Sequence, residues 1–293
     1  MGIGAVFAKP IPFDHGGNMA IGYLVLAIVL AGTLNAHASW LRVGGTLIAA
    51  LALCMMVLSI VLADVDGTFA AVPASASLIH RITPTILNVQ AVIAAIAIMF
   101  LGWSAWIQGR RPVVAALPLR NDKRQFGKAS RTFHWIIAVL MFCLVPIGLF
   151  MAILPQSSPE RAGFVGAHQS LGLTVLLLVI GRIGWIIFSP PPPPLTTSTA
   201  LERRAASAGH ICLYALLVTF PISGFLISQE AGLDIYGWTI APIAWPGAAG
   251  SALSMHSWAL PALLYAMLGL HLGAVLKHHF VDRDKSAVRR MLR

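Results

Sequence analysis

Seven stretches of this chain are apolar over nearly the length that a membrane crossing needs, and polar or turn-forming residues separate them. A helix rises about 1.5 Å per residue, so about 20 mostly apolar residues cross about 30 Å of hydrocarbon. Windows at 19–35, 43–63, 85–107, 133–153, 168–188, 210–229 and 257–276 reach or approach that length, the first being the shortest. Pro155, the run Pro190–Pro194 and a Gly/Pro-rich stretch from Ala231 to Met255 separate the last four. A proline run is extended and incompatible with helix, so the fifth and sixth spans are separate. The pattern predicts an all-α integral membrane protein of seven spans. A three-helix region occupies 1–110, a basic linker 111–131, and a four-helix bundle 132–293.

Charge between the spans predicts the orientation. Residues 108–131 carry Arg110, Arg111, Arg120, Lys123, Arg124, Lys128 and Arg131 against one acid, Asp122. The tail 277–293 carries six basic residues, and loop 189–209 carries Arg203 and Arg204. The alternate loops are poor in Lys and Arg: 155–167 has only Arg161 and 230–256 has none. Basic loops stay in the cytoplasm. The C-terminus is therefore expected inside and, with seven spans, the N-terminus outside.

Composition agrees and closes off other classes. Of 293 residues, 58% are apolar and 10% charged, with a mean hydropathy of +0.81. Soluble domains carry roughly 25% charged residues, and a compact particle of this size could not hide so much apolar surface from water. A soluble enzyme and a disordered chain are excluded. The net charge of +10 falls between apolar runs, where contact with anionic lipid explains it better than nucleic acid. Cys54, Cys143 and Cys212 lie in apolar stretches without CxxC spacing, so no zinc ribbon, thioredoxin-like motif or covalent haem attachment is encoded. The opening residues MGIGAVFAKPIPFDHGG lack the order of a signal peptide and read as mature sequence.

The chemistry lies in the histidines. His134, His168, His210 and His256 stand at or near the starts of the last four spans, and His271 lies further along the last, ahead of Lys277, His278 and His279. Ionisable residues at membrane depth are costly and mark function. The expected topology puts His134, His210 and His271 toward the cytoplasm and His168 and His256 toward the outside. His256 and His271 are fifteen residues apart, about 22 Å along a helix. Two stacked levels follow, each able to offer a pair of imidazoles to a planar cofactor. Fourteen residues beyond His134, His210 and His168 stand Gly148, Gly224 and Arg182. Fourteen residues return a helix close to the same face about 21 Å on. There a glycine lets a porphyrin approach the backbone and an arginine suits a propionate. Neutral imidazole is a common axial ligand of haem iron. Zinc or di-iron sites want thiolates or carboxylates, which the span interiors of the four-helix part lack. Non-covalent b-type haem fits.

These residues resemble the bacterial cytochrome b561 family. The matching strings are Arg131-Thr-Phe-His134-Trp, His168-Gln-Ser-Leu-Gly172, Gly209-His210-Ile-Cys-Leu-Tyr214, Pro221-Ile-Ser-Gly224 and Leu270-His271-Leu-Gly-Ala-Val-Leu-Lys277-His278-His279-Phe, over roughly 125–293. The chain is also similar to the haem-carrying membrane subunits of hydrogenases and formate dehydrogenases. The resemblance implies a four-helix, di-haem cytochrome that exchanges electrons with quinone, with superoxide oxidation as one activity. It implies that His134 pairs with His271 at one haem and His168 with His256 at the other. His210 is then a near-haem or quinone-side residue, although its depth also lets it replace His134. Lys277 and His278 match positions associated with a quinone site.

One feature departs from the family pattern. Its last helix separates the two ligands by fourteen residues, whereas His256 and His271 are fifteen apart. In a regular helix that leaves the second side chain about 60° round from the first. A kink at Pro261 or a π-bulge is expected between them. The three N-terminal spans, with His15, His37 and His80 near their ends, match no recognised family. They suit a second function class, a haem-carrying membrane anchor that relays electrons for a separate dehydrogenase. A haem-free transporter or structural protein is the third class, which an absorption spectrum would distinguish.

Overall fold

The computed structural model describes residues 23–25, 27–29, 31, 117–157, 159–194, 198–228, 232–241, 249–284, 286 and 290–291. Apart from helical positions between Tyr23 and Ala31, the three expected N-terminal spans lie outside the described residues, as do His15, His37 and His80. The elements are α1 (Lys128–Ile153), α2 (Pro159–Phe188), α3 (Ala200–Ile227), the strands β1 (Leu233–Ile235) and β2 (Trp238–Ile240), α4 (Ala249–Ser254), a π-helical turn (Met255–Ala259), α5 (Leu260–Leu276) and a second π turn (Lys277–Val281). Among the described residues, four continuous helical stretches are long and apolar enough to cross a membrane: Lys128–Ile153, Arg161–Phe188, Ala200–Ile227 and Gly250–Val281. They contain the last four expected spans, except that the stretch ending at Ile227 stops short of the window at 210–229, and each begins five to ten residues before its hydropathy window. Hydropathy marks the part of a helix that meets hydrocarbon, not the helix end. The start of α3 is set by a capping box: the Thr199 hydroxyl accepts from the Glu202 amide, and the Glu202 carboxylate accepts from the Thr199 amide.

The chain forms two compact units, and α1, α2 and the hairpin contribute to both. One takes Trp135–Leu171 and Asp234–Thr239, with Met1–Ala116. The other takes Leu117–His134, Gly172–Leu233 and Ile240–Arg293. In the first, Leu140, Cys143, Leu144 and Ile147 of α1 are buried, the i, i+3, i+4, i+7 stripe of a helix with one packed face. Ala167, Ser170 and Leu171 of α2 are buried as well, and Phe150 meets Phe164 edge to face at 5.0 Å. The hairpin turn is Tyr236–Gly237, with φ of 54° and 82°. Two consecutive positive φ values make the type I′ turn that matches strand twist, a conformation Gly237 adopts freely and Tyr236 adopts under constraint. By composition this Gly/Pro-rich stretch is expected to be loop, and the hairpin is a departure from that.

In the second unit, α3 packs against α4 and α5, with Leu216, Ser223, Leu260 and Leu264 buried. Asn121 ties the segment before α1 to the end of α2: its amide donates to Ser189 Oγ (2.8 Å) and its Nδ2 to the Ser189 and Pro190 carbonyls. Its Oδ1 accepts from the Gly127 amide at 2.8 Å. A Cβ at Gly127 would strike the Arg120 carbonyl, so only glycine fits there. Large apolar side chains such as Leu177, Ile187, Ile211, Leu270 and Leu272 point outward, as a helix immersed in lipid requires.

The expected distortion of the last span is present. Leu260 N–H donates to the Met255 carbonyl five residues back, which is the hydrogen bond of a π turn. The turn holds His256 and ends two residues before Pro261. Proline has no N–H to give and its ring crowds the carbonyl four residues earlier, here Ser257, so a wider turn relieves the clash. One residue absorbed this way reduces the fifteen-residue spacing to an effective fourteen. The two side chains then lie about 40° apart instead of about 60°.

Candidate functional site

Three helices of the second unit bring histidines together at one level. His134 comes from the second turn of α1, His210 from α3 and His271 from α5. The His134 and His271 ring centres are 6.4 Å apart with planes at 55°, and those of His210 and His271 are 5.7 Å apart at 67°. The fourth span reaches the same level through Arg182 of α2, whose Nε donates to the Tyr214 hydroxyl of α3 at 2.8 Å. Its guanidinium carbon also lies 5.7 Å from the Tyr214 ring centre, a cation–π contact that fixes the guanidinium plane. Trp185 Nε1 donates to Ser130 Oγ at 3.1 Å and locks α2 to the first turn of α1. A Cβ at Gly181 would come within 3.3 Å of Phe133, so the glycine lets α2 approach the residue next to His134.

Arg131 is fully buried, and its Nε donates to the Met291 carbonyl at 2.9 Å. The Phe126 amide donates to Arg290 O and Arg290 Nη1 to Pro193 O, so residues 290–291 are knitted to the start of α1 and the proline run.

His168 and His256 each face a glycine of their own unit. A Cβ at Gly148 would lie 2.8 Å from His168 Cε1, and one at Gly224 would lie 3.2 Å from His256 Cε1. The glycines fourteen residues beyond His134 and His210 thus make room for an imidazole edge. His256 Nδ1 is 2.8 Å from Ser223 Oγ, and Phe220 stacks edge-on to the ring at 5.4 Å. The two residues after His168 grip the hairpin. Gln169 Oε1 accepts from the Asp234 amide, and Ser170 Oγ accepts from the Tyr236 amide while donating to the Gly166 carbonyl.

At the far end of the last span the second π turn carries Lys277, His278 and His279. Lys277 Nζ bridges Glu202 (2.7 Å) and Asp282 (2.8 Å), and His278 Nδ1 lies 2.8 Å from the same Asp282 carboxylate. The Lys277 hydrogen bond, followed by that of His278, holds the Asp282 carboxyl below its ordinary 3.8. A carboxyl depressed by folding stabilises above its unfolded pKa, and that contribution is lost as pH falls through the folded value. These groups are solvent-screened, so the contribution is small. An Asp282→Asn variant is expected to melt slightly below the parent at neutral pH. Thermal melts should converge at pH values well under 3.8 and in high salt. Among the described residues no cluster of three or more His, Cys, Asp or Glu is arranged to hold a bare metal ion.

Comparison with known proteins settles the family. The description "prokaryotic cytochrome b561" matches residues 125–293. The chain belongs to the prokaryotic cytochrome b561 family. It is 34% identical over 177 residues to cytochrome b561 homolog 2 of Escherichia coli K12, covering 59% of this chain and 93% of that protein. It is 26% identical over 174 residues to cytochrome b561 homolog 1 of the same organism, covering 58% and 98%. It is 27% identical over 173 residues to a Yersinia pestis protein named probable superoxide oxidase CybB, covering 54% and 90%. This prokaryotic cytochrome b561 is an electron-transfer membrane protein of the b-haem class. Residues 1–124 lie ahead of the family match.

Sequence reasoning did not find Ser223 or Tyr214 as partners of His256 and Arg182, nor Gln169, Ser170 and Asp234 as the grip on the hairpin. Four of them stood in the quoted strings: Ser223 next to Gly224, Tyr214 four residues after His210, and Gln169 and Ser170 after His168. Asp234 had no such signal.

Proposed function

We propose that this cytochrome b561 binds two haems and carries electrons across the membrane between a donor at its outer face and the quinone pool. The observation that carries the reading is the pairing of His134 with His271. Neutral imidazoles from facing helices would hold haem iron. The His134 and His271 ring centres stand 6.4 Å apart, wider than the 5.7 Å of His210–His271, and so leave more room for a metal ion between the rings. His134 and His271 are the assigned ligands, and His210 is the neighbour beside them. Haem iron held there supplies reversible one-electron transfer. For the second haem we assign His168 and His256, and the room that Gly148 and Gly224 leave for each ring supports the assignment. Arg182, oriented by Tyr214, is placed to meet a propionate. Arg131 is assigned to the haem-binding set as well, and its Nε bond to the Met291 carbonyl also anchors the basic end. Lys277 and His278, held by Asp282 and Glu202, are assigned to the quinone side, where an ammonium and an imidazole suit a quinone oxygen.

The basic end then faces the cytoplasm of a bacterial inner membrane, with the C-terminus inside and the N-terminus outside. Superoxide, in the name of the Yersinia relative, is the candidate donor, although Arg161 is the chief cation on the outer loops for drawing in an anion. We assign residues 1–110, with the linker 111–131, as a region added to the four-helix part 132–293. Its extent beyond the family match favours a second reading, a haem-carrying anchor for a separate dehydrogenase. Co-purification with a soluble redox subunit supports that reading, and turnover by the isolated chain supports the first. A spectroelectrochemical titration of the purified protein with and without quinone tests the main proposal. Two b-type one-electron transitions are expected, one of them moved by quinone. Absence of Soret and α bands defeats it.

Gly148→Ala gives a sharper check. The new methyl at 2.8 Å would meet the edge of a side chain, not backbone. The His168 ring would therefore move while the helix stays. Haem per protein is expected to fall toward one equivalent with helix content unchanged, read by pyridine haemochrome and circular dichroism. Gly224→Ala, at 3.2 Å, is expected to have a milder effect.

A further inference from the structure

We propose that Ser223 is a positioning residue that fixes the tautomer of His256, keeping the proton on Nδ1 and leaving the Nε2 lone pair for iron. This rests on the assignment of His256 as a haem ligand. Ser223 Oγ has two partners, the Phe220 carbonyl and His256 Nδ1, each at 2.8 Å. A hydroxyl has one proton to donate. The carbonyl can only accept, so at 2.8 Å it takes the hydroxyl proton, and its second lone pair accepts from the His256 ring as well. If instead the proton went to an unprotonated Nδ1, the hydroxyl oxygen would face the carbonyl oxygen lone pair to lone pair. The arrangement without repulsion has Ser223 donating to Phe220 O and accepting from Nδ1–H. A neutral imidazole protonated on Nδ1 is unprotonated on Nε2, the nitrogen free to bind metal.

The surroundings hold this relay in place. Ser223 is buried at 5% exposure, so water does not compete for its lone pairs. Pro221, two residues earlier, withholds the amide that would have bonded to the Leu217 carbonyl and loosens α3 where the hydroxyl turns back. On the other side, the π turn places His256 opposite this stretch of α3, with Gly224 making room for the ring. A ligating imidazole whose second nitrogen donates a hydrogen bond is a more basic ligand and is held in one orientation. A more basic ligand stabilises the oxidised iron and lowers the potential of the haem it holds. His134, His210 and His271 stand at the other level, where Arg182 bonds to Tyr214. Ser223 is therefore expected to act on one haem alone.

The test uses the full-length holoprotein in detergent or nanodiscs, with Ser223→Ala, Ser223→Thr and His256→Ala compared by spectroelectrochemistry and by electron paramagnetic resonance of the ferric haems. Alanine favours helix and leaves no cation or bulk behind, so the fold is retained. Ser223→Ala is expected to raise one midpoint potential by about a tenfold change in that haem's one-electron equilibrium, about 59 mV, and to shift one low-spin signal. The second haem should be unmoved. Ser223→Thr, which keeps the hydroxyl, restores both readouts, whereas a purely packing role would not distinguish serine from alanine in potential. If His256→Ala loses one haem while Ser223→Ala moves neither potential nor signal, the ligand stands and the role given to Ser223 falls. If His256→Ala keeps both haems, the ligand assignment itself falls.

Discussion

Replacing His271 with Ala is expected to remove one of the two haems outright, leaving about one haem per chain and a single midpoint potential. His271 is the ring that both His134 and His210 approach, so its loss removes the partner that the two share. The two partner substitutions separate the alternatives left open by depth along the helices. His134→Ala is expected to lose the same haem, because the 6.4 Å between His134 and His271 leaves more room for a metal ion than the 5.7 Å between His210 and His271. His210→Ala is expected to keep it. Pyridine haemochrome and redox titration of the three variants decide the matter, and haem loss from His210→Ala with retention in His134→Ala would exchange the two assignments.

A change of register in the last span is the second large effect. Between Met255 and Ala259 the helix already holds one residue more than regular winding accommodates. Deleting Ser257 is expected to convert the π turn to ordinary α-helix with the histidines fourteen apart, and both haems should remain. Inserting one alanine after Trp258 makes the spacing sixteen, with no second slack turn between the ligands to take it up. Each residue rotates a helix by about 100°, so one histidine then turns away from its haem. Loss of one haem from the insertion but not the deletion is the expected outcome, and the converse pattern would show that the π turn does not set the register.

The contrast between what could and could not be read from the sequence follows from the range of each signal. Hydropathy over about 20 residues and the order of the histidines are one-dimensional, so the four described spans and the shared level of His134, His210 and His271 could be derived. The π turn was legible for the same reason: fifteen against fourteen is a count, and Pro261 says where the helix gives way. Partners that face one another across helices leave no such mark. Tyr214 could have pointed to lipid as readily as to Arg182, and Ser223 looked like a small residue for close packing until His256 stood opposite. The hairpin was missed because three-residue strands are too short to show alternation and Tyr-Gly is an unusual pair for a type I′ turn. Gly148 and Gly224 were expected to admit a porphyrin, and the structure adds that an imidazole edge occupies the room beside each.

The grip of Gln169 and Ser170 on the hairpin makes the two segments a single mechanical part. Asp234 and Tyr236 are tied to the helical turn that begins at His168, because their amides end on the next two side chains. Engineering that lengthens the strands or slides them by one position would carry its disturbance straight to His168.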